Sequence, residues 1–131
     1  MSSHDESLNS ALADRLVAGA LPAELQDFGP AEQAEAVAFL LAAAGERPPG
    51  RPRIALEPIA SDDVRRRLRM AVVNDDMPFL VDSIAAAVSA RGIAIDRILH
   101  PVVPVRRDVD GALGAIGGEG TTPESMIYLE L

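Results

Sequence analysis

The chain contains no cysteine, no lysine and no tryptophan, and only 3% of its residues are aromatic: one tyrosine and three phenylalanines. Without cysteine there is neither a disulfide framework nor thiolate chemistry, and two histidines as far apart as His4 and His100 cannot build a structural zinc site. Without lysine, a Schiff base, a P-loop lysine and a lysine general base are all excluded from this polypeptide. Every one of its twelve basic residues is arginine. Long hydrophobic runs are missing too: the longest, Ala36 to Ala44, is about half of the roughly 18 residues a membrane span requires. The opening "MSSHDESLNS" is polar and acidic and lacks the basic and apolar regions of a secretory signal, so the cytoplasm is the expected location. Twenty acids against twelve arginines give a net charge of -8, which argues against a nucleic-acid backbone as partner; "VRRRLR" is the local exception.

What is present, 131 residues of which 48% are hydrophobic and 24% charged, suits one domain with a core, or a small domain with an appended arm. Leu8, Leu12, Leu16 and Val17 share one helical stripe, which predicts an amphipathic helix from Ser7 ending at Gly19-Ala20. "LPAELQDFG" is a connector with a short helical turn. A second helix is expected from Ala31 to Ala44 with Gly45 as its C-cap; its "AVAFLLAAA" half is apolar on every side and must be covered by something. "GERPPGRPR", with three prolines and two glycines in nine residues, reads as a stiff linker. The division is therefore a helical segment 1–46, a Pro/Arg-rich linker 47–66, and a domain 67–131. Ile54 to Ala60 could form a short edge strand, since Pro58 forbids a central place, and "SDDVRRR" resembles a helical turn capped by Ser61.

From Arg67, alternation of Leu68, Met70 and Val72 with Arg67, Arg69 and Ala71 predicts a half-buried strand. "NDDMPF" turns the chain into a helix expected over Met77–Arg91, with Asp76 as N-cap, Pro78 in the first turn, Gly92 as C-cap, and a buried face of Leu80, Val81, Ile84, Ala87 and Val88. "IAIDRILHPVVPVRR" is β-branched and twice broken by proline, as at a sheet edge or a bulge. "RDVDG" is a hairpin turn, "ALGAIGGEGTTP" a mobile glycine-rich loop, and "ESMIYLEL" a last strand with Met126, Tyr128 and Glu130 opposite Ile127, Leu129 and Leu131. The fold class is α+β: N-terminal helices, then a truncated ferredoxin-like β-α-β-β unit with an antiparallel sheet. Because that unit lacks its second helix and fourth strand, the chain is expected to be part of a longer protein. The apolar helix face and the unfinished sheet edge favour a homo-oligomer.

Three features invite a chemical reading. Asn74, Asp75, Asp76 and Asp82 gather acids at the strand-to-helix turn, where a cation site or an acid–base pair is conceivable. The arrangement reads first as a helix start: Asp76 is accounted for by capping the helix, and Asp82, about 600° further round, faces elsewhere. The turn also presents the free N–H groups of a helix start, and its mixture of those donors with carboxylates suits a zwitterionic amino acid better than a phosphate. His100 has no nucleophile at a motif spacing and reads as a structural hydrogen-bonding residue. "GAIGGEGTT" has no lysine and no helix start to make it a phosphate loop. Arg67 and Arg69 read as a solvated sheet face or as ion-pair partners of Asp62, Asp63 or the acidic helices.

The string "VNDDMPFLVDSIAAAVSARGIAIDRILHPVVPVRRDVDG", with "RPPGRPRI" before it, resembles the N-terminal region of the large bacterial NAD-specific glutamate dehydrogenases over about Arg47 to Leu131. That region is similar to ACT domains, ferredoxin-like modules that regulate amino-acid metabolism, whose strand-to-helix turn often reads Asp-x-Pro-Gly-Leu and binds effector amino acids. The resemblance implies an effector site at Asn74, Asp75, Asp76, Met77, Pro78 and Phe79. Phe79 departs from the pattern, standing where the glycine would be and obstructing close backbone approach. It also implies a regulatory or oligomerisation module with the downstream domains of the same polypeptide as partners, in a parent that oxidises L-glutamate to 2-oxoglutarate and ammonia. NAD would be the parent's cofactor; no cofactor, metal or catalytic residue is expected within these 131 residues. The alternative is a stand-alone amino-acid-binding module or a purely structural domain.

Overall fold

The computed structural model describes residues 3–59 and 67–131. Helix α1 (Ser3–Ala18), a 3₁₀ turn (Pro22–Leu25) and helix α2 (Pro30–Ala44) lead into strands β1 (Arg53–Ile59) and β2 (Arg67–Asp75). Helix α3 (Leu80–Ala90) follows, then β3 (Arg97–Leu99), β4 (Val102–Arg107), β5 (Leu113–Ile116) and β6 (Thr122–Glu130). The helical turn expected at "SDDVRRR" lies outside the described residues.

All pairings are antiparallel, in the order β1-β2-β6-β4-β5, with β3 also on β6. The last strand therefore lies in the middle. β3 and β4 are one strand broken at His100-Pro101, and β2-α3-β3/β4 with β6 inserted between them is the expected β-α-β-β unit. β1 pairs in register along β2 from Arg53↔Val73 to Ile59↔Arg67. It holds the place that the fourth strand of a ferredoxin-like unit would take, and Pro58, which has no N–H to give a ladder, sits on the sheet's outer strand as proline must.

Period-two alternation sorts each strand between two cores. On one face Ala71, Val73, Leu99, Val103, Val105, Met126 and Tyr128 pack against Leu8, Leu12 and Leu16 of α1 and Ala36, Val37 and Leu40 of α2. Here the apolar half of α2 finds its cover. On the other face Val72, Ile127 and Leu129 pack beneath Leu80, Val81 and Ile84 of α3. Both faces of β6 are thus buried, and Tyr128 is enclosed by Phe28, stacked at 6.3 Å, and Phe39, edge-on at 6.4 Å.

Several expectations change. α1 begins earlier and ends one residue sooner than its stripe suggested, and Val17 is 37% exposed. Helix α3 starts at Leu80 rather than Met77, so Asp76 does not cap it; Phe79 occupies the N-cap position with no side-chain cap. Gly92, beyond the C-cap Arg91, has φ +75°, and Ala87 is exposed. Within the supposed mobile loop, Leu113–Ile116 forms β5, because β4 offers it a ladder from Val105↔Ile116 to Arg107↔Leu113. β4 is interior and bulged between Arg106 and Arg107, while β3 is at the edge.

Gly111 closes the β4–β5 hairpin at φ +95°, and a Cβ there would lie 2.1 Å from the Arg47 carbonyl oxygen. Gly111→Ala is expected to lower stability by about 2–3 kcal/mol through strain and the backbone clash, measured as a reduced urea midpoint with unchanged m-value.

Candidate functional site

The β2–α3 corner carries every residue of the expected effector site. Asn74 and Asp75 end β2, Asp76 to Phe79 form the turn, and Asp75 to Phe79 are all exposed. Phe79 adopts φ 66°, ψ 9°, the left-handed region that favours glycine, with its side chain 76% exposed. A phenylalanine thus stands in a backbone conformation that a glycine would adopt without strain.

The acids of the corner have partners from within the chain. Arg47, on the linker after α2, is buried and its Nη2 donates to Asp75 Oδ1 (2.9 Å) and Asn74 Oδ1 (3.3 Å). Its Nη1 donates to Glu124 Oε2 (2.8 Å), its Nε to the Arg51 carbonyl (2.7 Å) and its backbone N–H to the Gly111 carbonyl (3.0 Å). Arg107 grips the same Glu124 with both arms, Nε to Oε2 and Nη2 to Oε1, each at 2.9 Å. The linker is thereby locked against β2, the β4–β5 hairpin and β6 at once. A ligand ammonium approaching Asp75 meets a carboxylate already neutralised by a guanidinium whose side chain is 4% exposed.

On the α3 face of the corner, Ser125 Oγ donates to Asp76 Oδ1 (3.1 Å) and lies 3.2 Å from His100 Nε2. The structure thus joins Asp76 and His100 through a serine that no motif spacing reveals. It is not a nucleophilic triad. The single hydroxyl proton is committed to Asp76, which leaves His100 to donate rather than to accept it, and Ser125 is wholly buried. His100, at the break between β3 and β4, is tied through Ser125 to Asp76 of the corner. Asp82 is exposed on α3, away from this group.

At the far end of β6 a second arginine cluster holds Glu130. Arg97 Nε donates to Oε1 at 3.0 Å, Arg67 Nη2 to the same oxygen at 3.2 Å, and Tyr128 Oη to Oε2 at 2.7 Å. Arg97 also donates to the carbonyls of Glu24, Gln26 and Asp27 and lies over the Phe28 ring at 4.4 Å. Burial, and then the hydrogen bond to Glu130, push the Tyr128 phenol well above its ordinary range. Arg69, expected on a solvated face or as an ion-pair partner of the acidic helices, is buried beneath α2 and meets Glu35 of that helix as well as Glu57 of β1. Among the described residues no group of three or more His, Asp or Glu side chains could hold a metal ion, and no helix is long and apolar enough to cross a membrane.

Comparison with known families places this geometry. The model of the family described as "Glutamate dehydrogenase, ACT1 domain" matches residues 12–131. The chain belongs to the glutamate dehydrogenase ACT1 domain family. A curated relative, the NAD-specific glutamate dehydrogenase of Pseudomonas aeruginosa, is 37% identical over 65 residues, covering 46% of this chain. The match spans about 4% of that relative's length. No solved structure gives a significant match. The ACT1 match reaches back to Leu12, in α1, and so includes most of the two helices that precede the resemblance drawn over about Arg47 to Leu131.

Sequence reasoning found the corner of the ACT1 domain but missed Arg47, Arg107, Glu124 and Ser125. The available signal was parity: Glu124 and Glu130 are in phase with Met126 and Tyr128, so a strand that buries those two must bury the acids too and supply cations for them. Two outcomes are expected in chemical denaturation of the ACT1 domain. Arg47→Met, which leaves Glu124 buried with half its partners, lowers stability by about 3–5 kcal/mol. Phe79→Gly raises it by about 1 kcal/mol through relief of left-handed strain, whereas Phe79→Ala gives no such gain.

Proposed function

We propose that this ACT1 domain is an assembly and regulatory module of a large NAD-specific glutamate dehydrogenase, with no catalytic group of its own. The parent would oxidise L-glutamate with NAD to 2-oxoglutarate and ammonia in the cytoplasm, its NAD held by downstream domains of the polypeptide. The observation that carries this reading is the Arg47 lock: the corner's Asp75 and Asn74 are held by a buried guanidinium from the segment joining the helices to the sheet. That arrangement supports a rigid architectural unit which presents its surfaces to neighbouring domains and to further copies of the enzyme.

A second reading, an amino-acid effector at Asn74 to Phe79, has one observation in its favour: α3 has no side-chain cap, so its first N–H groups lack a side-chain acceptor. It would require the ligand's ammonium to share or displace Arg47.

Excision of residues 12–131 from the parent enzyme is expected to shift its mass in light scattering toward smaller species while turnover per active site persists. Unchanged assembly would refute the module's part in oligomerisation, and loss of turnover in a correctly assembled enzyme would refute its non-catalytic role. Calorimetry of the intact domain with free amino acids addresses the second reading, which predicts heat that Arg47→Met alters.

A further inference from the structure

Among the described residues, Arg107 and Arg69 are two arginines that turn their Nε and Nη2 edge toward carboxylates, and of these two only Arg107 has both donors filled. In Arg107 the Nε and Nη2 donors meet the two oxygens of one carboxylate, Glu124, at 2.9 Å each. In Arg69 the same two donors meet two different carboxylates: Nη2 donates to Glu35 at 3.3 Å, while Nε lies 3.6 Å from Glu57 and has no hydrogen-bond partner among the described residues. Arg69 is itself more than nine-tenths buried, its side chain 8% exposed, whereas Glu35 and Glu57 are 65% and 49% exposed. An orphaned buried N–H of a charged group is costly, and planar bidentate pairing with a single carboxylate is what would satisfy it.

This fork lies in a groove of about 470 Å³ between α2 and the β1–β2 pair, within the size range of small-molecule sites. Phe39, Ala38 and Ala42 of α2 form an apolar wall, and the Phe39 ring centroid is 5.9 Å from the Arg69 guanidinium carbon. Glu35 and Glu57 flank the opening from opposite sides. The groove is on the α2 face of the sheet, opposite the face that α3 covers.

We propose that this groove binds a free α-amino acid with an apolar side chain. Its carboxylate takes the Nε and Nη2 donors of Arg69 as Glu124 takes those of Arg107. Glu35 and Glu57, released from their long contacts, accept hydrogen bonds from its ammonium, and its side chain lies against Phe39, Ala38 and Ala42. The two glutamates set the specificity: a carboxylate without an ammonium is repelled by them, and an amine without a carboxylate leaves the fork unfilled. The site is independent of the β2–α3 corner, and of whether the domain serves assembly.

The test is titration of the intact chain with L-leucine, L-valine and L-phenylalanine, followed by amide chemical shifts and calorimetry, with 4-methylpentanoate and isoamylamine as probes lacking one charge each. Saturable shifts are expected at Phe39, Glu57 and Arg69, with either singly charged probe weaker by roughly tenfold or more. Arg69→Gln should abolish the response. Because that variant could also perturb folding, Glu35→Gln/Glu57→Gln supplies the decisive reversal: it weakens L-leucine binding but strengthens 4-methylpentanoate binding, which no folding defect would produce. The proposal is overturned by no saturable response at tens of millimolar ligand, by equal affinity for leucine and 4-methylpentanoate, or by shifts confined to Asn74–Phe79.

Discussion

Two glutamates on one strand govern how this domain is put together. Strand β6 directs Glu124, Met126, Tyr128 and Glu130 toward the same helix-covered face, so folding removes a carboxylate from water at each end of the apolar pair. A buried carboxylate is tolerable only when paired and hydrogen-bonded. Arg47 and Arg107 satisfy one, Arg67 and Arg97 the other, helped by Tyr128. These arginines come from the linker, from β4, from β2 and from β3, so neutralising two acids draws four separate segments onto the central strand. The guanidinium is suited to this because its planar donors can serve carboxylates and carbonyls together, as Arg47 and Arg97 do; a lysine ammonium has no such fork. An all-arginine basic complement is consistent with that demand.

The same constraint explains the corner. Arg47 could have satisfied Glu124 alone, but the turn brings Asn74 and Asp75 within its reach and the lock spreads to the start of the α3 unit. A turn whose backbone takes a left-handed step at Phe79 is thereby coupled to the segment leading out of the helices. Ser125 repeats the coupling on the other face through Asp76 and His100. Asp75 and Asp76 are each tied to a distant segment of the chain.

The parts of the fold that were readable before the structure are those set by short-range periodicity. The stripe Leu8, Leu12 and Leu16, the continuous apolar half of α2, and the alternation through Leu68 to Val72 and Met126 to Leu131 all identify their elements, because burial of one face imposes a period that neighbours cannot hide. β5 was missed because Gly114 and the glycines from Gly117 signal a loop, while the pairing that makes Leu113–Ile116 a strand comes from β4. The start of α3 was misplaced because Asp76 followed by Pro78 is a good cap signature; the left-handed Phe79 that delays the helix to Leu80 contradicts the ordinary preference of an aromatic residue. The site was legible as a location and not as a network: Asn74 to Phe79 stand together in the sequence, whereas Arg47 and Glu124 are 77 residues apart, and no local pattern links them.

The central position of β6 also has a temporal side. The strand that joins β2 to the broken β3/β4 pair is the tenth and last element of the described order, so a growing chain makes its helices and both flanking strands before the member that unites them. Until Glu124 to Glu130 has been synthesised, β2 and β4 each have an open edge and four arginines lack Glu124 or Glu130. Sheet closure then waits on non-local pairing, the slow class of folding event, and the nascent domain passes through an interval of exposed edges before a single strand seals both cores together.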